Sequence, residues 1–568
     1  MSRIILLFAC ILSLVAPAPF TRADDVVRAD HSLIISGHTE ATKAGMAVLR
    51  RGGNAIDAFV TVSLSLGVTE PGNSGLGGKI ALMYYDAKTK EVTFVAGLGQ
   101  AAMNLPIEEL IAKSADDRKR GYDAACVPAL AATLEAAHKR WGTQPWKSLF
   151  DAPIKLAVDG FELTPLAAEM LAEFPTELDP EAARIYAPNG KHPPAGAVLK
   201  NPDLARTMQL LADGGADAFY HGETAQKIAA AMESHGGYLA ADDFSAYKPR
   251  FLKPLSGTFH DYTIYSSAPP LSGGTTLIAA LGALADMDWG RGRDAVQPRD
   301  ARYIDSLCRV LQQIYPDVTR SAADAPDSLD RVAKILDPEN LKELAKRAGS
   351  ADPKKGALSI NWPDRFDDLV MDDSAQASTT HLIIIDRTGN IVCATQSLGN
   401  HFGSGVVAPS TGVLLNNDMN NFAYATKQSI NYVAGGKWPR STMSPTIVLK
   451  NGKPYLVIGS PGGQRIPVGV LQVTLDVLQF NRPLQEAVNG PRFHLRRNAS
   501  RNDPVNEVDL DQEFDHSFEE QLKKMGWATF RKDKGEFYFG AVNAAMFLPN
   551  GKILGVADQR RTGDAGGN

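Results

Sequence analysis

The most regular alternation of apolar and polar stretches lies past the middle of the chain. Thr379–Asp386 (TTHLIIID) reads as a strand whose apolar run predicts burial on both faces. Asp386-Arg-Thr-Gly-Asn390 is turn chemistry, and Ile391–Ser397 is a second strand. Upstream, Glu40–Arg51 carries apolar residues at helical spacing and stops at Gly52-Gly53, after which Asn54–Ala58 opens another helix. Residues 127–172 and 201–235 read as amphipathic helices. Residues 254–266 alternate like a strand, and the loop Pro269–Gly274 opens the apolar helix Thr275–Leu284. The stretch Ser321–Ala377 is more polar, with a charged helix over Asp327–Arg347, and it leads directly into Thr379. Beyond Thr379 strands dominate, with helices near Pro467–Phe480 and Asp515–Met525 and no internal repeat.

Composition narrows the function classes. The 568 residues are 44% hydrophobic, ample for a large buried core, and no Gly/Ser- or Pro-rich linker divides them. A formal net charge of -5 lacks the basic excess that nucleic acid calls for. Arg3, the apolar run Ile4–Val15 and the small residues up to Ala23 fit a secretory signal, cleaved after Ala18 or Ala23. That run is too short for a spanning helix, with an uncleaved anchor left as the alternative to cleavage. The expected location is therefore secreted or periplasmic. Removing the signal removes Cys10 and leaves Cys126, Cys308 and Cys393, an odd and sparse set that is no disulfide framework. No His/Cys spacing points to a metal site, and His381 and His494 read as structural.

The chemistry starts at Ser378-Thr379-Thr380-His381. A threonine becomes a strong amide nucleophile when its own α-amine acts as base. That amine titrates near 8, close to working pH. An internal Thr379 has no such amine, so the chain would first have to cut itself between Ser378 and Thr379. The plain alternative is a strand start, since threonine favours strands. The hairpin favours the catalytic reading. A turn centred on Thr388 pairs Ile385 with Ile391 and brings Ser397 opposite Thr379, a second hydroxyl beside the nucleophile. A slip of one residue would turn Ser397 to the other face. Gly459-Ser-Pro-Gly-Gly-Gln-Arg-Ile466 joins the strand Pro454–Ile458 to a helix, where backbone N–H groups can cradle an oxyanion or simply make a turn. Arg440-Ser-Thr-Met-Ser-Pro445 offers two adjacent hydroxyls before a strand, or another turn.

Taken as an ordered set, these segments resemble the γ-glutamyltranspeptidase family of N-terminal nucleophile hydrolases. The resemblance covers nearly all of the mature chain. It rests on Arg50–Asp57, Glu70–Gly78, Gly214–Tyr220 and Pro269–Gly274 in the first half. In the second half it rests on Thr379–His381, Phe402–Gly405, Asn416–Phe422, Ser444–Thr446, Gly459–Gly463, Pro491–His494 and Ala557–Arg561. It implies an α/β fold, a four-layer αββα sandwich with additional helices from the large subunit. It also implies a precursor cut into entwined subunits, here 24–378 and 379–568, forming one catalytic domain. By position, Ser378 and Thr379 flank the cut, Thr379 is the nucleophile and Ser397 the second hydroxyl. Gly462 and Gly463 fall on the oxyanion donors, and Ser441 and Thr442 on the serine pair near the substrate carboxylate.

The chain also departs from the family. Leu98 stands where the family's carboxylate-gripping arginine is expected, and Gly399 where asparagine is typical. In the loop that grips the substrate's amino group the aspartate is replaced by Asn421, with Asp418 at the position often held by Glu or Gln. Losing a bidentate arginine is a large change for carboxylate recognition. The expectation is a self-processing threonine amidase or acyltransferase that needs no metal or organic cofactor and acts on a small-molecule amide or γ-glutamyl-like substrate. The altered positions favour an acylase of the cephalosporin or glutaryl type over a strict γ-glutamyl enzyme. The rival is a binding protein on the same fold, and a metal-dependent hydrolase lacks clustered ligands.

Overall fold

The computed structural model describes residues 25–290, 294–355, 377–496, 506–532 and 537–568. The signal reading of 1–23 and the 356–376 part of the polar lead-in lie outside the described residues.

Two seven-stranded antiparallel sheets form the centre. One runs Val26–Ala29, Ile553–Val556, Asn543–Phe547, Lys453–Gly459, Thr446–Lys450, Tyr262–Ser266, Leu255–Phe259. The other runs Asp564–Gly567, Leu33–Ser36, Ala377–Ile385, Ile391–Asn400, Lys79–Tyr85, Val92–Gly97, Arg250–Leu252. The sheets face each other: the buried Cys393 thiol of the second reaches the Ile458 carbonyl of the first at 3.4 Å. Helices Gly273–Leu284 and Ile466–Leu478 cover the first sheet, and Thr39–Arg50, Ala55–Thr69 and Leu130–Trp141 pack on the second. The layers are helix, sheet, sheet, helix, the mixed α/β arrangement expected. Both sheets draw strands from each side of Ser378.

The central hairpin is built by its turn. Asp386 Oδ1 accepts the Thr388 amide at 2.8 Å and the Asn390 amide at 3.1 Å, which closes the loop. Its Oδ2 accepts the Ala55 amide at 2.9 Å, so the same carboxylate docks the hairpin on the next helix. That helix, Ala55–Thr69, is buried along its whole length, as its apolar circumference requires. Its start is a capping box between Asn54 and Asp57, a device that contributes about 1 kcal/mol.

Some boundaries differ from the sequence pattern. Residues 254–266 are not one strand but a hairpin, Leu255–Phe259 and Tyr262–Ser266, turning at His260 with φ 51. The charged helix over Asp327–Arg347 is two, Ser328–Ile335 and Pro338–Ser350. Pro338 cannot continue a helix from the preceding turn, and Asp337 caps the new one. The stretch 201–235 likewise divides into Pro202–Tyr220 and Glu223–His235.

Candidate active site

Ile385 pairs with Ile391, as the turn requires, and the ladder runs back in register to Thr380 opposite Gln396. The next pair is Ser378 with Gly399, so one strand carries an extra residue, a bulge at the site of interest. Thr379 and Ser397 still meet, with their hydroxyl oxygens 3.1 Å apart. Both side chains point between the two sheets, on the face shared by His381 and Cys393.

The Ser378 carbonyl is the focus of this cluster. Ser397 Oγ donates to it at 2.6 Å, and Thr379 Oγ1 also donates to it. The Gly399 amide donates to Ser397 Oγ at 2.9 Å, which orients that hydroxyl. The peptide is held from several directions. Ser378 Oγ donates to the Asn73 carbonyl at 2.8 Å, and Arg561 Nη1 donates to the Thr379 carbonyl at 2.7 Å. Glu70 is buried behind Thr380. Burial raises its carboxyl above the usual range, against the Thr380 hydroxyl and Arg561. The same burial lowers Arg561 to about 10. His381 is pushed down to about 3 by burial, so it stays neutral and offers no base at working pH.

The glycine junction lies alongside. Gly462 has φ 132 and Gly463 φ 57, backbone that favours glycine. A short 3₁₀ turn, Gly463–Arg465, follows and packs against the nucleophile strand before the helix begins at Ile466. Thr442 Oγ1 donates to the Gly463 carbonyl at 2.7 Å, tying the hydroxyl pair to this turn. The Ser441 carbonyl accepts the Ser272 amide at 2.7 Å, which seats that loop on Pro269–Gly274.

Asp418 and Asn421 lie on one short turn, with Asn421 Nδ2 3.4 Å from Asp418 Oδ1. Asp418 has a second partner, Lys79, in a buried ion pair. Burial raises the Asp418 carboxyl, and Lys79 is the first group countering it. Lys79 is directly opposite Ser397 in the next strand. Leu98 is buried, with its carbonyl accepting the Tyr247 hydroxyl at 2.8 Å.

Ser378, Thr379 and Ser397 meet directly, Thr442 is tied to the Gly463 turn beside them, and Asp418 and Asn421 connect to them through Lys79, the residue opposite Ser397. Lys79, Asn73, Glu70 and Arg561 were not singled out. Glu70, Asn73 and Arg561 sit inside motif segments already recognised, whereas nothing about Lys79 marks it until the strands are paired. Among the described residues, no group of three or more His, Cys, Asp or Glu is placed to hold a metal ion, and no helix is long and apolar enough to cross a membrane.

Comparison with known proteins agrees with this architecture. The chain is 30% identical over 551 residues to a glutathione hydrolase proenzyme of Bacillus subtilis, covering 94% of this chain and 91% of the relative. It is 27% identical to the acylase ACY 1 proenzyme of a Pseudomonas strain, covering 96% of each. The crystal structure of a cephalosporin acylase from Bacillus halodurans superposes with a TM-score of 0.83 at 23% identity, covering 99% of both chains, a likeness of fold. The family model described as gamma-glutamyltranspeptidase matches residues 41–568. With that span matched, the chain belongs to the γ-glutamyltranspeptidase family, self-processing N-terminal nucleophile hydrolases with threonine chemistry.

Proposed function

We propose that the chain is a secreted or periplasmic acylase that matures by cutting itself between Ser378 and Thr379. The carrying observation is the pair of hydroxyls, Thr379 and Ser397, converging on the Ser378 carbonyl. In the precursor, Thr379 Oγ1 adds to the Ser378 carbonyl carbon, and Ser397 hydrogen-bonds the oxygen on which charge develops. The Ser378–Thr379 C–N bond breaks, and the proton lost by Oγ1 ends on the freed amine. Water then hydrolyses the resulting ester, restoring the Thr379 hydroxyl and leaving a carboxylate on Ser378.

The new α-amine, with a pKa of about 8, serves as base when Thr379 attacks a substrate amide. The Gly462 and Gly463 amides receive the oxyanion, Ser397 orients the nucleophile, and water or an amine resolves the acyl-enzyme. Residues 1–23 leave as the signal, and 24–378 and 379–568 remain as one intertwined domain. Asp418, Asn421, Ser441 and Thr442 line the acyl site.

The acyl group is one without a free α-amino-acid head. Supporting this, Leu98, Gly399 and Asn421 replace the residues that a γ-glutamyl enzyme uses, and a relative of matching length is an acylase. Intact mass and N-terminal sequencing of the purified protein test the nucleophile. A fragment beginning at Thr379, absent from Thr379→Ala, is the expected result. An uncut wild-type chain that still hydrolyses amides would overturn the mechanism.

A further inference from the structure

The three departures from the family are scattered in sequence, yet they surround one ion pair. A Cβ placed on Gly399 would sit 3.5 Å from Asp418 Oδ1, and one on Gly99, next to Leu98, 2.6 Å from Asp418 Oδ2. Asn421 reaches the same carboxylate at 3.4 Å. The partner cation comes from a different strand. Ser397 pairs with Lys79, and Ile80 with Gly97, so continuing the ladder brings Leu98 into line with Lys79. Directly opposed residues share a face of the sheet. Lys79 therefore projects on the nucleophile's face, in the row that runs from Thr379 through Ser397 to Leu98.

Resting on the acylase reading, we infer that the Lys79–Asp418 pair occupies the place of an amino-acid head and excludes acyl donors that carry an ammonium group. Asp418 is the carboxylate that would attract an ammonium there, and Lys79 has already neutralised it. Both side chains are removed from water, at 6% and 0% exposure, so solvent screens little of the repulsion between Lys79 and an incoming cation. A cationic head can enter only by displacing Lys79 from its partner, into surroundings with little water to receive it. An acyl chain with hydrogen in place of the ammonium meets no such barrier. The pair thus sets specificity without touching the scissile bond.

Glutaryl- and γ-glutamyl-p-nitroanilide differ only in that group and provide the test. The wild-type kcat/KM should favour glutaryl by about 100-fold, the scale of a like-charge penalty. Lys79→Met frees Asp418 and should lower that preference at least about 10-fold, chiefly through faster γ-glutamyl turnover. Lys79→Met/Asp418→Asn buries no orphan charge, leaves an amide oxygen that can accept from an ammonium, and covers the case in which the single variant fails to fold. It too should lose preference, while Lys79→Arg should keep it. Binding of glutarate against L-glutamate to the purified proteins, by calorimetry, reads the same discrimination without turnover. A wild type with no fragment at Thr379 overturns the nucleophile assignment, and the binding comparison then judges Lys79 alone. Preferences in both assays within about 3-fold of wild type in Lys79→Met and in the double variant would overturn the inference.

Discussion

Ser397 separates an oriented nucleophile from a hydroxyl that merely happens to be buried. Its Oγ takes the Gly399 amide at 2.9 Å and gives its own proton to the Ser378 carbonyl at 2.6 Å. Those two bonds point it, and Thr379 lies 3.1 Å away. Ser397→Ala should leave the fold intact and slow the appearance of the Thr379 fragment about 10- to 100-fold, the worth of one such hydrogen bond to developing charge. A time course of fragment formation checks this, and maturation at the wild-type rate would remove Ser397 from the mechanism. The partner was legible because one turn sets the whole register, and Ser397 follows by counting from Thr388. The bulge was not, since it depends on how Ser378 is held by Asn73 and how Gly399 turns at φ 102. Lys79 was illegible for a related reason. Its meaning comes from a partner 339 positions away, and a lone lysine ahead of an apolar strand reads as an ordinary edge charge.

Between the two sheets, the nucleophile strand presses His381 against the strand Lys453–Gly459. A Cβ on Gly459 would fall 2.1 Å from the imidazole, so glycine is what lets the sheets close there. The ring is held neutral, with Nδ1 2.8 Å from the Thr395 hydroxyl. Its folded pKa of about 3 lies below the ordinary 6.5. Below pH 6.5 the unfolded chain therefore takes up a proton that the folded chain refuses, and stability falls as pH drops towards 3. The slope from this one histidine is up to about 1.4 kcal/mol per pH unit. His38, lowered by burial to about 4, adds to the same limb. Urea midpoints of the uncut Thr379→Ala chain between pH 7 and 4 provide the measurement. His381→Gln should flatten the acid limb, and parallel curves for the two proteins would show that the ring is not the proton acceptor. The element pattern was readable where the period was clean, as in the hairpin and the helix Ala55–Thr69. It failed at Asp327–Arg347 and 254–266, where a single proline or a left-handed His260 interrupts an otherwise continuous pattern.

At the scale of the whole molecule, the proposed cut falls in the middle of a sheet, not at a linker. The strand that begins at Ala377 lies between Leu33–Ser36, from before the cut, and Ile391–Asn400, from after it. Lys79–Tyr85 then continues the sheet with residues from before the cut, and Asp564–Gly567 closes its far edge with the last residues of the chain. The facing sheet alternates in the same way, with Val26–Ala29 on Ile553–Val556 and Tyr262–Ser266 on Thr446–Lys450. Separating the halves would expose strand edges in both sheets and the apolar faces between them, which no isolated half can rebury. Cleavage should therefore leave the fragments associated. Size exclusion in buffer should give one species containing both, resolved into two only in denaturant, and 379–568 expressed alone should be insoluble or unfolded. A soluble, folded 379–568 fragment, or separation of the halves at micromolar concentration in buffer, would show that the strands do not interlock as this topology requires.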